Sequence, residues 1–304
     1  MADFKAYSEI YGDVCRAMGD LNQARVDGVK AVVNMVYLNE ICVCDELYPL
    51  HWLMDLIDDI KTKDAATLTG ITAASPGVIT AAVHGFVNGD IVQQSSIVGM
   101  TELNNRTFVV VKLTDDTYSL TDLYGTAIDT TDYTAYTSGG TAYHRGVTLG
   151  KNFRNITSFN FHGYSIPLMP IRFQELEKNT SWYDTSSLSK PSRYLHKTYE
   201  TTAGAENQRL MWFMFPDTNY YARIWGERIP ARLSADTDVP VIPARFHDAI
   251  VSGAVARLVE YGAVQIENAV IWPGIYKGHL TAIKTENRKW WKENAEQRSS
   301  IYLI

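Results

Sequence analysis

Residues 69–140 read TGITAASPGVITAAVHGFVNGDIVQQSSIVGMTELNNRTFVVVKLTDDTYSLTDLYGTAIDTTDYTAYTSGG. The stretch is rich in Thr, Gly, Asp and β-branched residues and poor in Lys and Arg. Val78-Ile79-Thr80, Ile91-Val92-Gln93, Thr107 to Lys112 and Thr117 to Leu120 have strand character. Asn88-Gly89 marks a tight turn, because both residues tolerate positive φ, and Asp115-Asp116 marks another before Tyr118. Short strands at this spacing with polar turns predict a compact β-barrel or sandwich over residues 67–141. The stretch offers no obvious catalytic group, which points to a protein that works by presenting surfaces.

Outward from this module the periodicity changes to helical. Phe4, Tyr7, Tyr11, Val14 and Met18 recur at helical spacing, and Gly19-Asp20 stops the run. Val26, Val29, Val33, Tyr37 and Ile41 mark a second helix. A third helical piece is expected after Pro49, through Trp52 and Leu56 to Ile60. Beyond the module, strands are expected at Ile156 to Phe161, Ser192 to Tyr199, Arg209 to Phe215 and Tyr220 to Arg228. Pro216-Asp217 reads as a hairpin turn between the last two, and the four strands read as one meander sheet across residues 142–233. Helix returns after Pro243 with the stripe Phe246, Ile250, Val251, Ala254, Leu258 and Tyr261. Ser252, Gly253, Ala254 and Ala256 keep that helix thin, so Phe246, Ile250, Gly253, Ala254 and Leu258 are read as a helix-packing face. A last helix is expected from Tyr276 to about Gln297, before the apolar tail Ile301, Tyr302, Leu303 and Ile304. The expected class is α+β: a helical core (1–66 and 234–304) interrupted by a small β module and a β-meander.

Composition narrows the function. The chain has 304 residues and a net charge of −6. An acidic balance argues against a general nucleic-acid binder, which needs a positive face to offset phosphate charge. No apolar run reaches membrane-spanning length, and Met1-Ala2-Asp3-Phe4-Lys5 has no signal-peptide pattern. Three cysteines, Cys15, Cys42 and Cys44, make a disulfide framework a poor expectation and a reducing cytoplasm the expected site of synthesis.

Candidate chemistry is sparse. No phosphate-cradling loop, G-x-S-x-G elbow or H-E-x-x-H frame occurs. Cys42 and Cys44 with His51 form the best metal candidate, but residues two apart on a helix face different ways, so buried thiols are the preferred reading and no metal or cofactor is expected. Asp58-Asp59, Asp115-Asp116, Asp236 and Asp238 are read as turn and cap residues rather than a catalytic pair. His84 is read as ending a strand, with Gly85 supplying an unusual backbone angle. Trp290-Trp291 splits between two helix faces, one for the core and one for a partner. Both tryptophans, with Ile301 to Ile304, are taken as candidate partner-interface residues.

Two resemblances sharpen this picture. Residues 82–90 (AVHGFVNGD), 99–106 (GMTELNNR) and 133–140 (YTAYTSGG) make the module similar to the small β domain named for the catalytic-cysteine half of ubiquitin-activating enzymes, found also in tailed-phage structural proteins. The module contains no cysteine, so no ubiquitin chemistry is implied. The flanks, with VKAVVNMVYLNEIC at 29–42 and PVIPARFHDAIVSGAVARLVEYG at 240–262, resemble head-to-tail adaptor proteins of tailed phages. That resemblance implies a non-enzymatic virion protein, a dodecameric ring between portal and tail or nozzle protein with DNA passing through it. The alternatives are a tail, baseplate or fibre component with a glycan-contacting module, or a carbohydrate-active enzyme.

Overall fold

A computed structural model describes residues 4–19, 23–172, 175, 188–200, 206–262 and 268–294. The chain divides into two compact units, Met1–Asp55 with Glu227–Ile304, and Leu56–Gly226.

The first unit is helical. Its helices are α1 (Tyr7–Ala17), α2 (Gln23–Val36, continued by a π-helical turn Tyr37–Ile41), α3 (His247–Glu260) and α4 (Trp272–Glu293). Tyr7, Ile10 and Val14 of α1 and Val26, Val29, Val33 and Val36 of α2 repeat every three or four residues and are all buried in one core. Gly19 and Gly262, both at positive φ, follow α1 and α3. The α3 helix is buried on most sides because its residues are small. A Cβ on Gly253 would lie 2.6 Å from Val36 Cγ1 and 2.7 Å from Tyr276 Cε2, so α2 and α4 close on α3 at the glycine. Polar pins join distant segments of this unit. Asn34 Nδ2 donates to the Leu233 carbonyl (3.0 Å), and the Leu233 N–H donates back to Asn34 Oδ1 (2.9 Å). Arg257 is bidentate on Glu40, which also accepts the Tyr276 hydroxyl at 2.9 Å.

The second unit holds most of the strands: β1 (Met54–Lys61), β2 (Ala66–Thr67), β3 (Gly70–Ile71), β4 (Val78–Thr80), β5 (Asp90–Val98), β6 (Thr107–Lys112), β7 (Thr117–Thr121), β8 (Ser138–Thr148), β9 (Phe153–Phe161), β10 (Met169–Pro170), β11 (Arg193–Glu200), β12 (Glu206–Phe213) and β13 (Tyr221–Arg228). The unit boundaries fall inside β1 and β13. Nine strands of a ten-stranded sheet run in the order β10-β11-β12-β8-β5-β6-β7-β4-β3, and β2 adds to β8. A three-stranded sheet has the order β1-β13-β9.

This architecture corrects the expected class. The chain is β-rich, with four α-helices among the described residues, and is not a helical core carrying a small insert. The reason lies in β8. Its residues Ser138 to Val147 pair with β5 inside the module, and Gly146 to Thr148 pair with β12 along the other edge. A Cβ on Gly146 would sit 2.1 Å from the Leu210 carbonyl oxygen, so the glycine lets β12 join the module's sheet. The module and the β11–β12 part of the meander are therefore one sheet, where two separate elements were expected.

Two local expectations also change. Residues 54–61 form a strand rather than a helical piece, after a single 3-10 turn at His51–Leu53. Trp52, Leu56 and Ile60 have helical spacing, but the sheet formed with β13 satisfies the β1 backbone and overrides that pattern. The Pro216-Asp217 turn does not close a hairpin: β12 lies in the larger sheet and β13 in the smaller one. The meander strands thus split between two sheets, with β9 and β13 together and β11 and β12 elsewhere.

Candidate functional site

A buried polar cluster of the β unit forms where the 62–65 linker meets the start of β5 and the middle of β8. The linker is fixed first. The Thr62 N–H donates to the Tyr220 carbonyl (2.9 Å), and Thr62 Oγ1 accepts the Tyr220 N–H (2.7 Å). The Lys63 N–H then donates to His144 Nδ1 (3.0 Å), while Lys63 Nζ lies 2.5 Å from Asp90 Oδ2. The same oxygen accepts the Val87 N–H (2.8 Å), closing the Asn88-Gly89 turn onto β5. His144 Nε2 faces Asp90 Oδ1 at 3.4 Å. Around the imidazole stand Phe86 and Trp212, and the Trp212 indole N–H donates to the His144 carbonyl (3.1 Å).

The electrostatics follow from burial. An Nδ1 that accepts the Lys63 amide leaves the proton on Nε2, a neutral tautomer directed at the carboxylate. Burial lowers the His144 pKa and outweighs the opposing pull of Asp90. Burial alone works to raise the Asp90 pKa, but His144 and Lys63 together hold it below the ordinary carboxylate value. Asp90 is 2% exposed and His144 1% exposed, so neither reaches a bulk-solvent substrate. This Lys–Asp–His cluster is built to fasten the linker to the sheet.

Two clefts flank the clasp. One, of about 470 Å³, is lined by Lys61, Lys63, Asp64, Val83, His84 and Asn219 among others. The second, of about 360 Å³, runs past Lys61, Lys63, Asn88, Asp90 and Thr148. Asn219 Nδ2 donates to Asp64 Oδ2 (2.9 Å) across the first. Both grooves have mixed polar and apolar walls.

His84 is buried beside this region. Its Nδ1 accepts the Phe86 N–H (3.0 Å), its ring packs on Tyr118, and Gly85 follows at φ +68°. The acidic pairs occupy turn and surface positions. Asp116 accepts the Val83 N–H and Asp238 accepts the Ser234 and Ala235 N–H groups. Asp58 meets His162, Asp115 meets Lys112 and Asp236 meets Lys30; Asp59 lines the second cleft.

In the helical unit, Cys42 and Cys44 are buried, and burial pushes the Cys44 thiol up to about 11, away from the thiolate a metal needs. His51 is turned to Asn287 Oδ1 (3.2 Å). Among the described residues no three His, Cys, Asp or Glu side chains converge as a metal site. Trp291 is 5% exposed, and its indole N–H donates to the Pro49 carbonyl (2.7 Å). Trp290 stacks on His51 with centroids 4.7 Å apart and is half-buried. Phe246, Ile250, Gly253, Ala254 and Leu258 are all buried within the helical unit. Ile301, Tyr302, Leu303 and Ile304 lie outside the described residues. Neither Lys63 nor His144 stands out in the sequence; the signal is the Asn88-Gly89-Asp90 turn, whose acid gathers them.

Residues 74–145 match the ubiquitin-activating enzyme E1 FCCH domain family. The match spans β4 to most of β8, including Asp90 and His144. In that enzyme family the domain is non-catalytic. No curated protein matches the chain. No helix among the described residues is long and apolar enough to cross a membrane.

Proposed function

We propose that this chain is a structural virion protein of a tailed phage, the head-to-tail adaptor that forms a ring between portal and tail or nozzle protein. The observation that carries the reading is the closure of one helical unit by both parts of the chain that flank the β unit, Met1–Asp55 and Glu227–Ile304. Such a unit has the makings of an assembly body, because residues of both flanks share one buried core. The FCCH-like match supports a presenting role for the β unit, since that domain is non-catalytic in its own family. The ring is dodecameric in this reading and surrounds a channel through which DNA passes. A net charge of −6 suits a wall to which DNA does not adhere.

Co-sedimentation of the purified chain with assembled portal tests the proposal. Stoichiometric, saturable binding that persists at moderate salt is expected. Recovery of all the chain in the supernatant at concentrations well above those in an infected cell would remove it.

A further inference from the structure

Three neighbouring strands of the large sheet place three donor side chains in one row. Lys197 of β11 stands opposite Arg209 of β12, and Arg209 stands opposite Thr148 of β8. Directly opposed residues of antiparallel strands project to the same face, about 5 Å apart. Arg209 is only 2% exposed, yet its Nε and Nη1 have no hydrogen-bond partner, and neither does Thr148 Oγ1. An unpaired guanidinium in the interior is costly, and a neighbouring ammonium makes it more so. Among the described residues no carboxylate forms an ion pair or hydrogen bond with Arg209. The Tyr199 ring lies 5.4 Å from the guanidinium and 5.0 Å from Lys197 Nζ, with Tyr124 packed edge-on behind it. Asp122 acts on Arg209 through space and not through a hydrogen bond; its Oδ1 accepts the Tyr124 and Thr126 N–H groups. Next to Thr148 stands Gly89, where a Cβ would come within 3.3 Å of Thr148 Cβ, so the glycine leaves that flank uncrowded.

We infer that the Lys197–Arg209–Thr148 row is a binding site for a small oxyanion, a phosphate, sulfate or carboxylate group. Water could satisfy the hydroxyl but would leave the guanidinium without a counter-charge. An oxyanion accepts from both unpartnered Arg209 nitrogens and from Thr148 and balances the charge. Lys197 and Thr148 are half-buried and form the approach, while Arg209 forms the floor. The inference is independent of the adaptor reading.

The test is thermal unfolding and calorimetric titration of the full chain with phosphate, sulfate, acetate and chloride at matched ionic strength. Wild type should bind phosphate or sulfate saturably and gain melting temperature beyond chloride, and Arg209→Met should lose both. General salting-out stabilisation is common to the two proteins and cancels in the comparison. Thr148→Val, which keeps the side-chain shape, should weaken the dissociation constant about tenfold. It serves as the deciding variant where Arg209→Met does not fold. Acetate binding as tightly as phosphate assigns the site to a carboxylate, such as a partner's acidic side chain. No saturable oxyanion binding by wild type, or binding unchanged in Thr148→Val, overturns the inference.

Discussion

Gly253 on α3 touches the Tyr276 ring of α4 so closely that a Cβ on the glycine would lie 2.7 Å from Cε2. The small-residue stripe is therefore consumed inside the helical unit. Val36 on α2 leaves a Cβ no way out, at 2.6 Å. Gly253→Ala should thus destabilise by about 1–3 kcal/mol despite the better helix propensity of alanine. Urea unfolding followed by helical circular dichroism reads this directly. A neutral or stabilising effect would mean the three helices are not in contact there.

Gly146 plays the matching part in the β unit, where β8 passes from the module to β12. With only 2.1 Å between a Cβ and the Leu210 carbonyl oxygen, Gly146→Ala must push the strands apart. The expected loss is at least about 2 kcal/mol, with faster hydrogen exchange at Arg209 and Met211. Unchanged exchange at those amides would argue against a joined sheet.

The Lys63–Asp90–His144 clasp predicts a pH dependence. Asp90 has a folded pKa below its ordinary 3.8, so its contribution is complete above that value and is lost as pH falls through the folded pKa. His144 has a folded pKa below its ordinary 6.5. The unfolded chain therefore binds its proton first, and stability falls as pH drops below about 6.5 until the folded pKa is reached. Asp90→Asn should cost about 3–5 kcal/mol near neutrality, because it strands a largely buried Lys63. Its difference from wild type should shrink below pH 4. His144→Asn should flatten the slope just below pH 6.5. Denaturant titrations across pH 3 to 8 measure both, and parallel curves for wild type and Asp90→Asn would refute the clasp.

The two adjacent tryptophans should behave unequally. Trp291 is nearly fully buried and bonded to Pro49, whereas Trp290 stacks on His51 and is half-buried. Trp291→Ala should cost about 3–5 kcal/mol, and Trp290→Ala about half as much or less. Equal losses would contradict this division of the pair.

Helical periodicity made α1, α2 and α3 legible, because Tyr7, Val33 and Ile250 sit on stripes that a local count finds; α4, expected from Tyr276, begins at Trp272. The turns at Gly85 and Asn88-Gly89 were equally local. What escaped was pairing. Leu56 and Ile60 fit a helix as well as a strand until β13 is known to lie beside them. Pro216-Asp217 marks a turn whether the next strand folds back or changes sheets. A long β8 that serves two neighbours looks like two strands of two domains. The clasp escaped for the same reason, since Lys63 and His144 are 81 residues apart and are joined by a bond that no spacing rule anticipates. The Lys197–Arg209–Thr148 row depends on register alone.

The proposed function requires the chain to assemble. Negative-stain electron microscopy of the full chain, alone and mixed with portal, tests it most directly. Closed rings with a central channel are expected, formed by the chain itself or only on the portal, with rotational symmetry matching the portal's. A chain that stays monomeric at high concentration and leaves portal particles bare would contradict it.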